Sequence, residues 1–73
     1  NTSIFCGDIM YDTYNNAIGI VLGCIDEQCG ELRLDSDGMQ PIENLRRATM
    51  EDFNIKDVKF QPSIKHELEI SLK

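Results

Sequence analysis

Residues 7–45 consist of short apolar segments separated by turn-forming residues, and this pattern constrains the fold more than any other feature of the chain. The segments cover residues 9–12, 17–25, 31–34 and 39–42, and the breaks contain Asn15-Asn16, residues 26–30 and Ser36-Asp37-Gly38. Asn and Gly tolerate the left-handed backbone that tight hairpin turns require. We therefore expect an antiparallel meander of four strands, which in so short a chain should close into a small barrel.

The alternation within these segments predicts which side chains point inward. We expect Ile20, Leu22, Leu32 and Leu34 to face a common centre, because apolar residues of a strand line the face turned toward the core. Gly19 and Gly23, both in the longest segment, weaken a flat strand and indicate bends or bulges at these two positions. Asp8, just before the first strand, is expected to accept hydrogen bonds from nearby backbone amides.

The sequence after the meander predicts one short helix. Residues 43–45 suit a single helical turn, residues 46–48 return to extended structure, and Thr49 is a suitable N-cap for a helix near residues 50–54. Residues 1–61 are thus predicted to form one mainly β domain, a barrel of five or six strands with one short helix.

Residues 62–73 form a C-terminal segment with two possible structures. Apolar residues alternate with polar ones with a period of two, which favours an extended strand with one apolar side. A helix after Pro62-Ser63 is the rival, because Ile64, Leu68 and Leu72 are four residues apart. We favour the strand. Its apolar stripe is the candidate contact surface for another protein or for a second copy of the chain, and comprises Ile64, Leu68, Ile70 and Leu72.

Charge is unevenly distributed along the chain, whose formal net charge is −6. Residues 1–45 carry eight acidic groups and one basic group, whereas residues 46–73 carry five acidic and six basic groups. The acidic part disfavours binding to a phosphate backbone. One alternative function is nucleic-acid binding by a basic strip of Arg46, Arg47, Lys56, Lys59 and Lys65. Another is an inhibitor whose acidic barrel mimics nucleic acid.

Three cysteines, Cys6, Cys24 and Cys29, form an odd set. An odd count favours reduced thiols in a cytoplasmic protein, although Cys24 and Cys29 could form a hairpin disulfide. With His66 they make four potential zinc ligands, but their spacing lacks the close pairs typical of zinc sites. We therefore expect neither a metal nor another cofactor.

No catalytic motif is present in the sequence. The chain has a single histidine, no nucleophile signature and no glycine-rich phosphate loop, and so small a barrel leaves little room for a deep pocket of about 300 Å³ or more. No apolar run approaches the roughly 20 residues of a membrane-spanning helix. We expect a protein that is neither an enzyme nor inserted in a membrane.

The first part of the chain resembles the SH3-like small β-barrels. The resemblance is carried by Gly7-Asp8 before the first strand, by Ile18-Gly19-Ile20-Val21-Leu22, and by Gly30-Glu31-Leu32-Arg33-Leu34, and it covers about residues 5–48. This part of the chain is similar to KOW, Tudor-like and PRC-barrel domains and to short uncharacterised bacterial proteins. The resemblance implies a docking module for protein or RNA. RNA-binding KOW modules carry basic loops, whereas the loops here are acidic.

Together these features predict a non-enzymatic protein–protein interaction module. The partner is expected to be another protein or a second copy bound through residues 62–73, since an exposed apolar strand edge invites pairing.

Overall fold

The computed structural model describes residues 4–26, 30–36 and 38–72, which form five strands, two 3₁₀ helices and one α-helix. The strands are β1 (Ile9–Asp12), β2 (Ala17–Asp26), β3 (Glu31–Leu34), β4 (Gly38–Pro41) and β5 (Leu45–Arg47). The 3₁₀ helices cover Ile42–Asn44 and Met50–Asn54, and α1 covers Pro62–Ser71. The mainly β class and the short helix near residues 50–54 are confirmed, the latter as a 3₁₀ helix.

The five strands form one antiparallel sheet in the order β4-β3-β2-β1-β5. The first part of β2 pairs with β1, and the part from Val21 onward pairs with β3. The register between β2 and β3 shifts on both sides of Gly23, which confirms the irregularity predicted there. The pairing of β1 with β2 is regular across Gly19, so the irregularity predicted at Gly19 is not confirmed. Within the described residues no pairing joins β4 to β5. The sheet is open, and the predicted closure into a barrel is not confirmed.

Two of the predicted turns have the expected backbone. In the turn between β1 and β2, Asn16 has a φ of 53°, and Gly38 at the start of β4 has a φ of 76°. The buried carboxylate of Asp12 accepts hydrogen bonds from the backbone N–H of Tyr14 at 2.9 Å and from the side-chain amide of Asn15 at 2.7 Å. These bonds hold the first hairpin turn and satisfy a charge that would be costly to bury alone.

The sheet carries a buried apolar cluster on each face of β1 and β2. Tyr11 and Ile18 belong to one cluster, and Met10 and Val21 to the other, because successive side chains of a strand point to opposite faces. Leu32 and Leu34 are buried in the second cluster, as predicted, but Ile20 packs against the first, so these side chains do not share one common centre. Leu22 is 55% exposed, so the prediction that it faces the centre is wrong.

Residues 62–73 were expected to be extended, and this prediction is wrong because α1 covers Pro62–Ser71. Pro62 occupies the first turn of α1, where its missing N–H has no intrahelical partner to lose. Ile64 and Leu68, one helical turn apart, are 0% and 6% exposed and pack into the cluster around Tyr11 and Ile18. The four-residue spacing, not the alternation, therefore describes this segment.

Candidate functional site

A groove of about 400 Å³ lies between the C-terminal half of α1 and the paired strands β1 and β5. We call it the α1 groove. Its apolar lining is Ile9, Ala48, Leu68 and Leu72, and its charged lining is Asp8, Arg47 and Glu67. The groove is open to solvent and is not the deep pocket for which we expected little room. It forms because α1 packs against the sheet and provides the second wall.

Backbone pairing and helix packing together place the groove residues. The N–H of Ala48 donates to the carbonyl of Ile9 at 3.0 Å, which holds the end of β5 against the start of β1. Leu68 is buried in the cluster beneath α1 and anchors the opposite wall. Leu72 caps the C-terminus of α1 and is 64% exposed. The groove therefore has a buried apolar floor and an exposed apolar rim.

Asp8 and Arg47 form an ion pair at the groove, with 3.4 Å between Oδ2 of Asp8 and Nη1 of Arg47. Oδ2 of Asp8 also accepts a hydrogen bond of 2.8 Å from the backbone N–H of Phe5, which confirms the expected role of Asp8. Glu67, on the other wall, makes no hydrogen bond or ion pair with any residue that the structure describes. The fixed charges of the groove thus include one neutralised pair and one unpaired carboxylate.

Arg46, next to Arg47 on β5, is held by contacts within the chain. Its guanidinium donates two hydrogen bonds to the carboxylate of Asp52, at 2.8 Å and 2.5 Å, and lies 4.6 Å from the ring centroid of Tyr11. The hydrogen bonds from Arg46 lower the pKa of Asp52, and the backbone N–H of Thr49 adds to this effect. This pair stabilises the fold and does not line the groove.

The four apolar residues proposed as a contact stripe do not share one surface. Ile64 and Leu68 belong to the core, and Leu72 lines the groove. Ile70 is 56% exposed and lies outside the groove lining. A strand would have placed all four on one face, whereas the 100° turn per residue of a helix keeps Ile64, Leu68 and Leu72 on one side and turns Ile70 away from them.

The five residues of the proposed basic strip lie on three parts of the structure. Arg46 and Arg47 are on β5, and both are paired with carboxylates. Lys56 and Lys59 lie between the second 3₁₀ helix and α1, where the backbone of Lys59 bridges to Ala17. Lys65 is on α1. Charge neutralisation of Arg46 and Arg47 weakens their attraction for a phosphate backbone.

Several acidic residues of the sheet have roles within the fold. Asp12 holds the first hairpin turn, Asp8 pairs with Arg47, and the carboxylate of Asp35 accepts a hydrogen bond of 2.9 Å from the backbone N–H of Ile20. Carboxylates used in this way are less available to imitate an array of phosphates.

The structure describes only some of the cysteines that were considered as disulfide partners or zinc ligands. Cys29 and the side chain of Cys24 lie outside the described residues, so the proposed disulfide stays a prediction. The described thiol of Cys6 is exposed and lies 3.5 Å from the carbonyl oxygen of Leu22. In the described ranges no group of three or more His, Cys, Asp or Glu side chains could hold a metal ion. None of the helices described there is long and apolar enough to cross a membrane.

Sequence reasoning missed the convergence of Asp8, Arg47 and Glu67. Asp8 was singled out only for its turn, Arg47 only as part of a basic strip, and Glu67 only as a polar position in an alternating segment. The three lie far apart in the chain and no local motif links them. Only the packing of α1 on the sheet and the second 3₁₀ helix brings them to one groove.

Comparisons with known proteins do not assign the chain to a family. No protein-family model matches it, and neither a curated protein nor a solved structure does. The resemblance to SH3-like barrels therefore stays a prediction.

Proposed function

We propose that the chain is a non-enzymatic protein–protein interaction module that binds a segment of a partner in the α1 groove. The observation that carries the proposal is Leu72, which is 64% exposed beside a floor of Leu68 and Ile9. An apolar side chain placed between Leu72 and this floor would remove apolar surface of both molecules from water, at about 25 cal/mol per Å². A concave apolar site with a few polar groups is the usual form of a binding pocket.

The polar groups of the groove support binding more than catalysis. Asp8 and Arg47 neutralise each other, and the hydrogen bond from Phe5 further occupies the Asp8 carboxylate. Glu67 keeps a free carboxylate, but no second unpaired titratable side chain lines the groove beside it in the described residues, and acid–base catalysis commonly uses two such groups. Ser71 also lines the groove, but its hydroxyl lies 3.4 Å from the carbonyl of Leu68 and has no histidine among its hydrogen-bond partners in the described residues.

An SH3-like architecture is consistent with this role. The pairing of β2 with β1 along its first part and with β3 along its second part, together with the irregularity at Gly23, supports a strongly bent strand of the kind small barrels use. We propose that residues 1–61 are a variant of this barrel class, with α1 packed on one face. The docking function follows from the groove and not from the class.

Affinity selection from a random-peptide display library tests the proposal. The full chain, immobilised, should enrich a defined set of peptides, and a synthetic peptide of the enriched consensus should bind it in solution. Leu72→Asp should abolish this binding, because it places a charge at the apolar rim. Ile70→Asp is the matched control, since Ile70 is 56% exposed, close to the 64% of Leu72, and lies two residues away but outside the groove.

Two results would contradict the proposal. One is the absence of any enriched consensus, and the other is a consensus peptide that binds Leu72→Asp as well as it binds the natural chain. Sedimentation velocity over a wide concentration range measures self-association, which tests the alternative that the chain binds a second copy of itself. Self-association lost in Leu72→Asp but kept in Ile70→Asp would make a second copy the occupant of the groove.

A further inference from the structure

We propose, on the basis of the function above, that the α1 groove selects partner segments in which a lysine or arginine adjoins an apolar side chain. The apolar residue would contact Leu72 and Leu68, and the cation would contact Glu67. This choice of occupant rests on the charge of the groove walls.

The carboxylate of Glu67 is the first argument. Glu67 lines the groove and has no hydrogen bond or ion pair with the described residues, whereas Asp8 and Arg47 are paired with each other. The formal charge of these three lining groups is therefore −1. A cationic side chain that enters the groove could therefore pair with Glu67 without breaking an existing ion pair.

The C-terminus of α1 is the second, independent argument. The partial negative charge of a helix macrodipole lies at its last turn, and basic side chains near that turn usually offset it. The last turn of α1 contains no basic residue, and Ser71 and the C-cap Leu72 line the groove; Lys73, the next residue, lies outside the described residues. The helix end and Glu67 thus place negative potential on the same wall.

A second copy of the chain is a poor match for this wall. Each copy has a formal net charge of −6, so two copies repel each other when they approach within about one Debye length. A basic segment of a different protein has the complementary charge, which also favours fast association.

The test compares peptide selections on three full-length proteins: the natural chain, Glu67→Lys and Glu69→Lys. Glu69 is exposed on the same helix but does not line the groove, so Glu69→Lys has the same charge change at a control position. The natural chain and Glu69→Lys should enrich peptides with Lys or Arg next to an apolar residue. Glu67→Lys should lose this preference.

The enriched basic peptide is then synthesised and its affinity measured at low and high salt. We expect Glu67→Gln to weaken binding about threefold, as for a partly exposed ion pair, and Glu69→Gln to leave it unchanged. High salt should reduce the difference between Glu67→Gln and the natural chain.

The outcomes separate this inference from the proposed function. Peptides that are apolar but not basic, and that still require Leu72, would overturn the preference for a cation and leave the interaction module intact. An equal effect of Glu67→Gln and Glu69→Gln would also overturn it, since only the general charge of the chain would then matter. Peptides indifferent to Leu72→Asp would instead contradict the proposed function itself.

Discussion

The guanidinium of Arg46 on β5 holds both carboxylate oxygens of Asp52 in the second 3₁₀ helix, with N–O distances of 2.8 Å and 2.5 Å. Asp52 is 4% exposed, and it also accepts a hydrogen bond of 2.7 Å from the backbone N–H of Thr49, the N-cap of that helix. One carboxylate therefore joins a strand to a helix cap. Removing it would deprive three N–H donors, two of Arg46 and one of Thr49, of this acceptor.

Asp52→Ala should lower the free energy of unfolding by about 2 kcal/mol, the usual effect of losing a hydrogen-bonded charged group at a partly buried site. Urea denaturation monitored by circular dichroism measures the change. Glu51→Ala is the control, because Glu51 is exposed on the same helix and should change stability by less than about 0.5 kcal/mol. Equal effects of the two substitutions would show that the pair contributes nothing of its own.

The same pair predicts a pH dependence. The hydrogen bonds from Arg46 and from the backbone of Thr49 lower the pKa of Asp52 in the folded chain, against an ordinary value of about 3.9 in the unfolded chain. The stabilisation is therefore fully present above about pH 4 and is lost as the pH falls through the lower folded pKa. The stability difference between the natural chain and Asp52→Asn should shrink below about pH 4. A difference that is constant down to about pH 2 would contradict this assignment.

Two isoleucines of α1 provide a direct test of the helix. Ile64 is 0% exposed and Ile70 is 56% exposed, although an extended strand would place both on one face. Ile64→Ala should destabilise the chain by about 2–4 kcal/mol, whereas Ile70→Ala should change stability by about 0.5 kcal/mol or less. Thermal and urea denaturation of both variants measure the contrast. Similar losses would favour the strand after all.

Gly19 is required by the close approach of the turn after β3. A Cβ at this position would collide with Oγ of Ser36 and lie 3.0 Å from Oδ1 of Asp35, which itself accepts a bond from Ile20. Gly19→Ala should therefore cost about 1–2 kcal/mol of unfolding free energy, a typical cost of overpacking. Adding Ser36→Ala should recover part of that loss.

Gly23 is the matched control for Gly19, because a Cβ there would meet nothing within 4 Å. Gly23→Ala should be neutral within about 0.5 kcal/mol, despite the irregular register around it. If Gly19→Ala were as well tolerated as Gly23→Ala, the approach of Ser36 to β2 would not be close in solution.

The sequence predicted less of the candidate site than of the fold. The apolar pattern identified Leu68 and Leu72 as residues that must contact something, and Gly7-Asp8 as a turn. It could not show that Leu68 faces the core while Leu72 faces a groove, since that depends on where α1 ends and on what it packs against. Nor could it pair Asp8 with Arg47, because ion pairs between distant segments leave no local pattern.

The sequence by itself determined the positions of the strands and turns. Asn16, Gly38 and the short apolar segments act through local backbone preferences, which are the same in any tertiary environment. Tertiary structure decided the rest: the open order of the sheet, the helical state of residues 62–71 and the α1 groove. In that segment the alternation favours a strand and the four-residue spacing favours a helix, and the sequence alone does not decide between them. The helix is favoured because it buries Ile64 and Leu68 together against Tyr11 and Ile18, a contact between distant parts of the chain.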